Sequence, residues 1–270
     1  MHSIEEKLAA FERLLKIMGE LREQCPWDRK QTHETLRHLT IEETYELSEA
    51  ILDSNLDEIQ KETGDLLLHM VFYAQIASET SREQGGWDIA DSLNGICDKL
   101  IDRHPHIYGD VEANDEETVK ANWEQLKLKE GKTSVLEGVP KGLPSLVKAY
   151  RIQDKVRGVG FDWENAGQVW DKVEEEIAEF QAEVDVNPDR AADEFGDILF
   201  ALINYARFKN INPDEALERT NRRFQARFQH MEAAIQADSG QGGKTMAEMS
   251  LSELDAYWDR AKSAVSKSRI

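Results

Sequence analysis

Residues 56–79 read LDEIQKETGDLLLHMVFYAQIASE. An Asn55 precedes them, charges crowd their first turn, and from Leu66 to Ala77 the only interruptions of an apolar run are His69 and Gln75. The run is too long for a buried strand and carries no period-two alternation, so it predicts a helix that is apolar on most sides at its centre and therefore buried. Within it stand two carboxylates, Glu62 and Asp65, three positions apart, which puts them on one helical face. An acidic pair at the edge of the most apolar segment is the feature that the rest of the chain has to explain.

Working outward, the pattern stays helical. Ile4, Leu8, Phe11, Leu15, Met18 and Leu21 follow three- and four-residue spacing. Thr40-Ile41-Glu42-Glu43 has the form of a capping box, predicting a helix from there through Leu52. Ile89, Leu93, Ile96 and Leu100 mark the core face of a helix over 87–103, and a further helix is expected over about 116–130. Gly131, Gly138, Pro140, Gly142 and Pro144 then fall close together and read as a break. Beyond it helices are expected over about 145–157, 166–185, 189–208, 213–237 and 250–265, with Pro188 and Pro213 near helix starts. The expectation is an all-α chain of two tandem helical-bundle domains, 1–135 and 145–270, joined by a linker over 136–144.

The two-domain division rests on an internal repeat. Glu42-Glu43-x-x-Glu46 is matched by Glu175-Glu176-x-x-Glu179, and Glu62-Thr63-Gly64-Asp65-Leu66-Leu67 by Glu194-Phe195-Gly196-Asp197-Ile198-Leu199. Glu46 and Glu62 are 16 positions apart, Glu179 and Glu194 15. Pro26-Trp27-Asp28 is loosely echoed by Phe161-Asp162-Trp163, and Trp123 with Lys127 by Trp258 with Lys262. A period this long is a duplicated domain rather than a solenoid unit.

Composition narrows the function classes. Lys and Arg number 33 against 53 Asp and Glu, a formal charge of -20. That balance disfavours polymeric nucleic acid and anionic membranes as partners, because like charges repel. It leaves room for a phosphate ligand, since bound cations reverse the local sign. Two distant cysteines, Cys25 and Cys97, make neither a disulfide scaffold nor a cysteine zinc site. No run reaches the ~18 apolar residues of a membrane span, and the first residues lack the form of a signal peptide. A cytoplasmic protein is expected.

For any single glutamate a solvated helix face is the ordinary reading. Four or five carboxylates converging between two antiparallel helices, twice in one chain, call for neutralisation by a cation, and an all-oxygen set suits Mg²⁺, with Mn²⁺ as a substitute. Other motifs carry less. Gly240 to Thr245 lacks the glycine spacing and the preceding strand of a phosphate-binding P-loop. His69 corresponds to Ala201 in the second half and is expected to be a hydrogen-bonded core histidine. No histidine has Glu three residues before it, which excludes the helical di-iron pattern.

The ordered set of EExxE, ExxD, Cys25-Pro26-Trp27-Asp28, Arg103-His104-Pro105-His106 and Val159-Gly160-Phe161-Asp162-Trp163 resembles the MazG nucleoside triphosphate pyrophosphohydrolases over nearly the whole chain. The resemblance implies an α-helical bundle, Mg²⁺ dependence, a homodimer, and cleavage of NTPs and dNTPs between the α and β phosphates. It implies that Glu176, Glu179, Glu194 and Asp197 hold metal, with the catalytic Glu175 beside them. Glu43, Glu46, Glu62 and Asp65 take those places in the first half, with Glu42 alongside. Phosphate and base contacts map to Arg190, Arg223, Arg227 and Trp258, with Lys99, Arg103 and Trp123 as first-half counterparts. Where similar proteins commonly carry Lys, this sequence has Arg190 and Arg223, which keep the charge and change the geometry. Three rivals stand beside this reading: a phosphohydrolase restricted to one pyrimidine nucleotide such as dUTP or dCTP, a non-enzymatic helical interaction protein with relict acidic sites, and a chain with one active and one degenerate half.

Overall fold

The structure is a computed structural model, and it describes residues 1–109, 134–240 and 243–265. The helix expected over 116–130, with Trp123, lies outside the described residues, as do Gln241 and Gly242. Among the described residues there are ten α-helices and no strand. The chain divides into two compact units, Met1–Val111 and Glu112–Ile270.

In the first unit the helices are α1 (Ile4–Gln24), α2 (His33–Leu52), α3 (Leu56–Ser78), α4 (Ile89–Arg103) and the single turn α5 (Pro105–Tyr108). Three residues separate α2 from α3, so the chain doubles back and the two helices pack along their length. α1 lies on α3, and Met18, Leu36, Val71 and Phe72 form the buried centre. The Arg22 guanidinium locks this arrangement. It donates to the Gln31 carbonyl at 3.0 Å and to Glu79 at 2.6 Å, tying the end of α1 to the turn before α2 and to the end of α3.

Two sequence expectations need correction here. Thr40 does not open α2. The cap is Thr32, whose hydroxyl accepts from the Thr35 amide while Thr35 reciprocates. Thr40 sits inside the helix, where its hydroxyl bonds back to the Leu36 carbonyl. Of the α4 face expected to enter a core, Ile89 packs against the central cluster, whereas Leu93, Ile96 and Leu100 are exposed.

In the second unit the helices are α6 (Ser145–Arg157), α7 (Ala166–Glu183), α8 (Pro188–Phe208), α9 (Pro213–Ser239) and α10 (Leu251–Val265). α7 and α8 make the equivalent hairpin, α6 lies on α8, and α9 packs on α10 around Met231, Ile235 and Ala261. Pro188 and Pro213 take the first helical positions, each behind an asparagine cap. The missing proline N–H costs nothing there.

Candidate active site: two acidic clusters on helical hairpins

On α7 the buried residues are Val169, Val173 and Glu176, which follow one another on a single stripe. On α8 they include Ala191, Glu194, Ile198 and Ala201, again one stripe. Each helix thus turns a glutamate inward at a place where its apolar stripe prescribes a hydrophobic residue. Both glutamates stand about two turns from the short loop that joins the helices, so the hairpin brings them opposite each other. Asp197, one turn beyond Glu194, completes a group whose carboxylate oxygens lie within 4.8 Å of one another. The first unit repeats this with Glu43 on α2 and Glu62 and Asp65 on α3.

Such crowding has the expected electrostatic signature. Partial desolvation, then repulsion from Asp65 and Glu46, raises the pKa of Glu43. Desolvation and the charges of Glu176 and Glu194 raise that of Asp197. Glu179 is raised by desolvation and by its neighbours Glu194 and Glu176, which joins it to the second group. Each of these shifts says that the site holds more negative charge than its surroundings favour. Glu62 adds a sharper observation: it is 3% exposed, and its Oε2 has no hydrogen-bond partner among the described residues. A buried carboxylate oxygen without a donor is costly unless a cation takes it. The donor set, three close carboxylates and no nitrogen or sulfur, fits Mg²⁺ or Mn²⁺.

Basic side chains border the groups unequally. Arg190 bridges the hairpin, with its Nε 3.4 Å from both Glu183 and Glu194. Lys172 reaches Glu175 at 2.8 Å and Glu176 at 2.6 Å. Sequence reasoning missed Lys172, although its i,i+3 and i,i+4 spacing to that pair was in view. In the first unit Lys61 lies 3.0 Å from Glu62. Glu42 and Glu175 are exposed beside their groups, and Glu46 is exposed one turn from Glu43. Lys99 and Arg103 stand on α4, while Arg223 and Arg227 stand one turn apart on α9. Arg223 donates to Thr220 at 3.1 Å. Trp258 on α10 packs against Phe224 at 5.1 Å between ring centroids, within the α9–α10 apolar cluster.

A cavity of about 250 Å³ opens at the second group, lined by Lys172, Glu176, Asp197, Ala201, Asn204 and the aromatic rings of Trp163 and Phe200. At the position of Ala201 the first half has His69, which is buried and whose Nδ1 is 3.0 Å from the Thr40 hydroxyl. The histidine is thus a hydrogen-bonded core residue, as its sequence context predicts.

Comparison with known proteins agrees with this geometry. Residues 31–108 match the family model described as the MazG nucleotide pyrophosphohydrolase domain, and residues 149–224 match the one described as phosphoribosyl-ATP pyrophosphohydrolase. A nucleoside triphosphate pyrophosphohydrolase/pyrophosphatase MazG from Thermotoga maritima is 42% identical over 257 residues, covering 93% of this chain and 95% of that protein. The chain belongs to the MazG family. A nucleoside triphosphate pyrophosphohydrolase from Escherichia coli is 39% identical over 93% of this chain and 97% of its own length. An uncharacterised Bacillus subtilis protein is 44% identical over 96% of this chain, which spans 53% of that protein. The two family models fall on the two hairpins, so each half of this MazG-family chain carries a pyrophosphohydrolase-type helical pair.

Proposed function

We propose that this chain hydrolyses nucleoside triphosphates, NTPs and dNTPs alike, to a nucleoside monophosphate and pyrophosphate in a Mg²⁺-dependent reaction. The observation that carries the reading is the carboxylate group of buried Glu176 and Glu194 with exposed Asp197, opening into a cavity with Lys172 and bordered by Arg190. Glu176, Glu179, Glu194 and Asp197 would hold the metal, as Glu43, Glu46, Glu62 and Asp65 would in the first half. Bound there, a divalent cation offsets the site's charge and screens the triphosphate. A carboxylate outside the ligand set, such as Glu175, takes the proton of the attacking water. Water adds to the α phosphorus, the bond from that phosphorus to the bridging oxygen breaks, and pyrophosphate departs. Arg190 and Lys172, with Arg223 and Arg227, supply positive charge for the departing group.

The second half is the better-equipped centre, because Ala201 leaves a cavity open at its acidic group. The exposed Leu67, Met70, Leu93, Ile96 and Leu100 of the first unit support a homodimer in which that face is covered. Among the described residues no helix is long and apolar enough to cross a membrane, and both cysteines are free, which supports a cytoplasmic setting.

The test is product analysis over a panel of NTPs and dNTPs with Mg²⁺. Pyrophosphate and monophosphate from purine and pyrimidine substrates, abolished by a chelator, are expected. Turnover of dUTP or dCTP alone would replace the broad reading with a pyrimidine-specific one.

A further inference from the structure

The turn between α6 and α7 brings a tryptophan to the acidic group of the second unit. Trp163 lines the cavity that holds Lys172, Glu176 and Asp197, although the residue is 44% exposed. A ring packed on one side only is not fixed by burial. A carboxylate clamp fixes the turn instead. Asp162 Oδ1 accepts the Trp163 backbone N–H at 2.9 Å. Both oxygens of that carboxylate also accept from the Arg207 guanidinium, Oδ2 at 2.9 Å. Arg207 is itself held in place. Its side chain is 8% exposed, its Nε and Nη2 donate to Asn204 Oδ1 at 3.1 and 2.7 Å, and its guanidinium lies 4.7 Å from the centroid of the Phe208 ring.

A buried arginine–carboxylate pair is a weak source of stability, because desolvating both charges offsets most of their attraction. Its position says more. Glu194, Asp197, Ala201, Asn204 and Arg207 follow one another at three- and four-residue spacing along α8. The helix that presents two of the carboxylates therefore also holds, through one guanidinium and one carboxylate, the tryptophan that lines their cavity. In the first half the echoing turn Pro26-Trp27-Asp28 is held by Arg22. That arginine comes from α1, not from the carboxylate-bearing α3, and it donates to the Asp28 backbone carbonyl. The link from side chain to side chain, on the carboxylate helix, belongs to the half that has the open cavity.

We propose that Arg207 is a positioning residue for the hydrolysis: acting through Asp162, it sets Trp163 as a rigid wall of the acidic cavity. Trp163 bounds the space beside Glu176 and Asp197 in which the phosphates lie. A wall that cannot shift keeps the attacked phosphorus in line with its water. Trp163 lines that cavity and Arg207 and Asp162 do not, so the arginine works at one remove from the substrate. The proposal rests on the triphosphate hydrolase reading above.

The experiment is a double-mutant cycle on pyrophosphate release from ATP with Mg²⁺, with the helicity of every variant checked by circular dichroism. Trp163→Ala should lower kcat about tenfold, within the roughly hundredfold that a misplacement of 1 Å can cost. KM should stay near its wild-type value, because the cation and the basic side chains still hold the phosphates. Arg207→Met should lower kcat to the same degree. The double variant should lose no more than either single one, since the arginine then has nothing left to position. Arg207→Lys keeps the charge without the planar fork and should recover part of the loss. An ion pair that only stabilises the fold would give a lower denaturation midpoint with kcat intact, and that result in Arg207→Met overturns the proposal. Losses that multiply in the double variant also overturn it, because they route the effect elsewhere, as through Asn204. If Arg207→Met loses its helicity, Asp162→Ala takes its place in the cycle with the same expected and contrary results. Wild-type kcat in Trp163→Ala overturns the wall and leaves the hydrolase reading standing. Absence of pyrophosphate from every triphosphate in the wild-type protein overturns the hydrolase reading and the positioning role with it.

Discussion

Glu176 and Glu194 lie at positions that the apolar stripes of α7 and α8 would give to hydrophobic residues. That placement has a measurable consequence. Glu43, Glu179 and Asp197 have pKa values raised above those of free carboxylates. For a group raised on folding, the folded state binds more protons, so its contribution to stability is present at low pH and is lost as pH rises through the folded pKa. A divalent ion competes with those protons and reverses the penalty. At a Mg²⁺ concentration a hundredfold above its dissociation constant, stabilisation of about 2.7 kcal/mol is expected. At one fixed Mg²⁺ concentration the thermal shift should be larger at pH 7.5 than at pH 5. A shift equal at both values, measured by calorimetry, would show that the ion binds elsewhere. The acidic residues were legible in the sequence because the pattern occurs twice. Lys172 was passed over because a lysine one turn from a glutamate is common on any exposed helix, and only the hairpin geometry shows that its partner is buried.

At the scale of elements, the turn after α6 carries the most specific local demand. Gly160 has φ of 86°, and the position of a Cβ there meets nothing within 4 Å. Its amide donates to the Arg157 carbonyl and the next amide to Val156, closing the end of α6. A substitution is therefore resisted by backbone conformation and not by crowding. Gly160→Ala should cost about 1 kcal/mol in denaturant unfolding. A cost near zero would mean that the turn adopts another conformation. Helix ends marked by Asn-Pro were readable because proline fixes φ and asparagine caps the free amides. The start of α2 was misread because Thr40 to Glu43 mimics a capping box inside a helix, while the actual box uses Thr32 and Thr35.

The whole chain carries two pyrophosphohydrolase-type hairpins with matching acidic groups and different surroundings. The repeat itself was visible in the sequence, since both the residue types and their spacing recur. The difference between the halves was visible in the sequence as His69 against Ala201 and as the Arg223/Arg227 pair of the second half; the structure adds that His69 is buried and hydrogen-bonded while Ala201 lines a cavity. Turnover is assigned to the second half. The direct measurement is pyrophosphate release from ATP with Mg²⁺ by wild type, Asp65→Ala and Asp197→Ala, each confirmed as folded. Asp197→Ala should lower kcat at least a hundredfold, in the range found when one electrostatic contact to a transition state is removed, while Asp65→Ala should stay within about threefold of wild type, an energy difference under about 0.7 kcal/mol. Near-wild-type turnover in Asp197→Ala, or its loss in Asp65→Ala alone, would contradict the assignment.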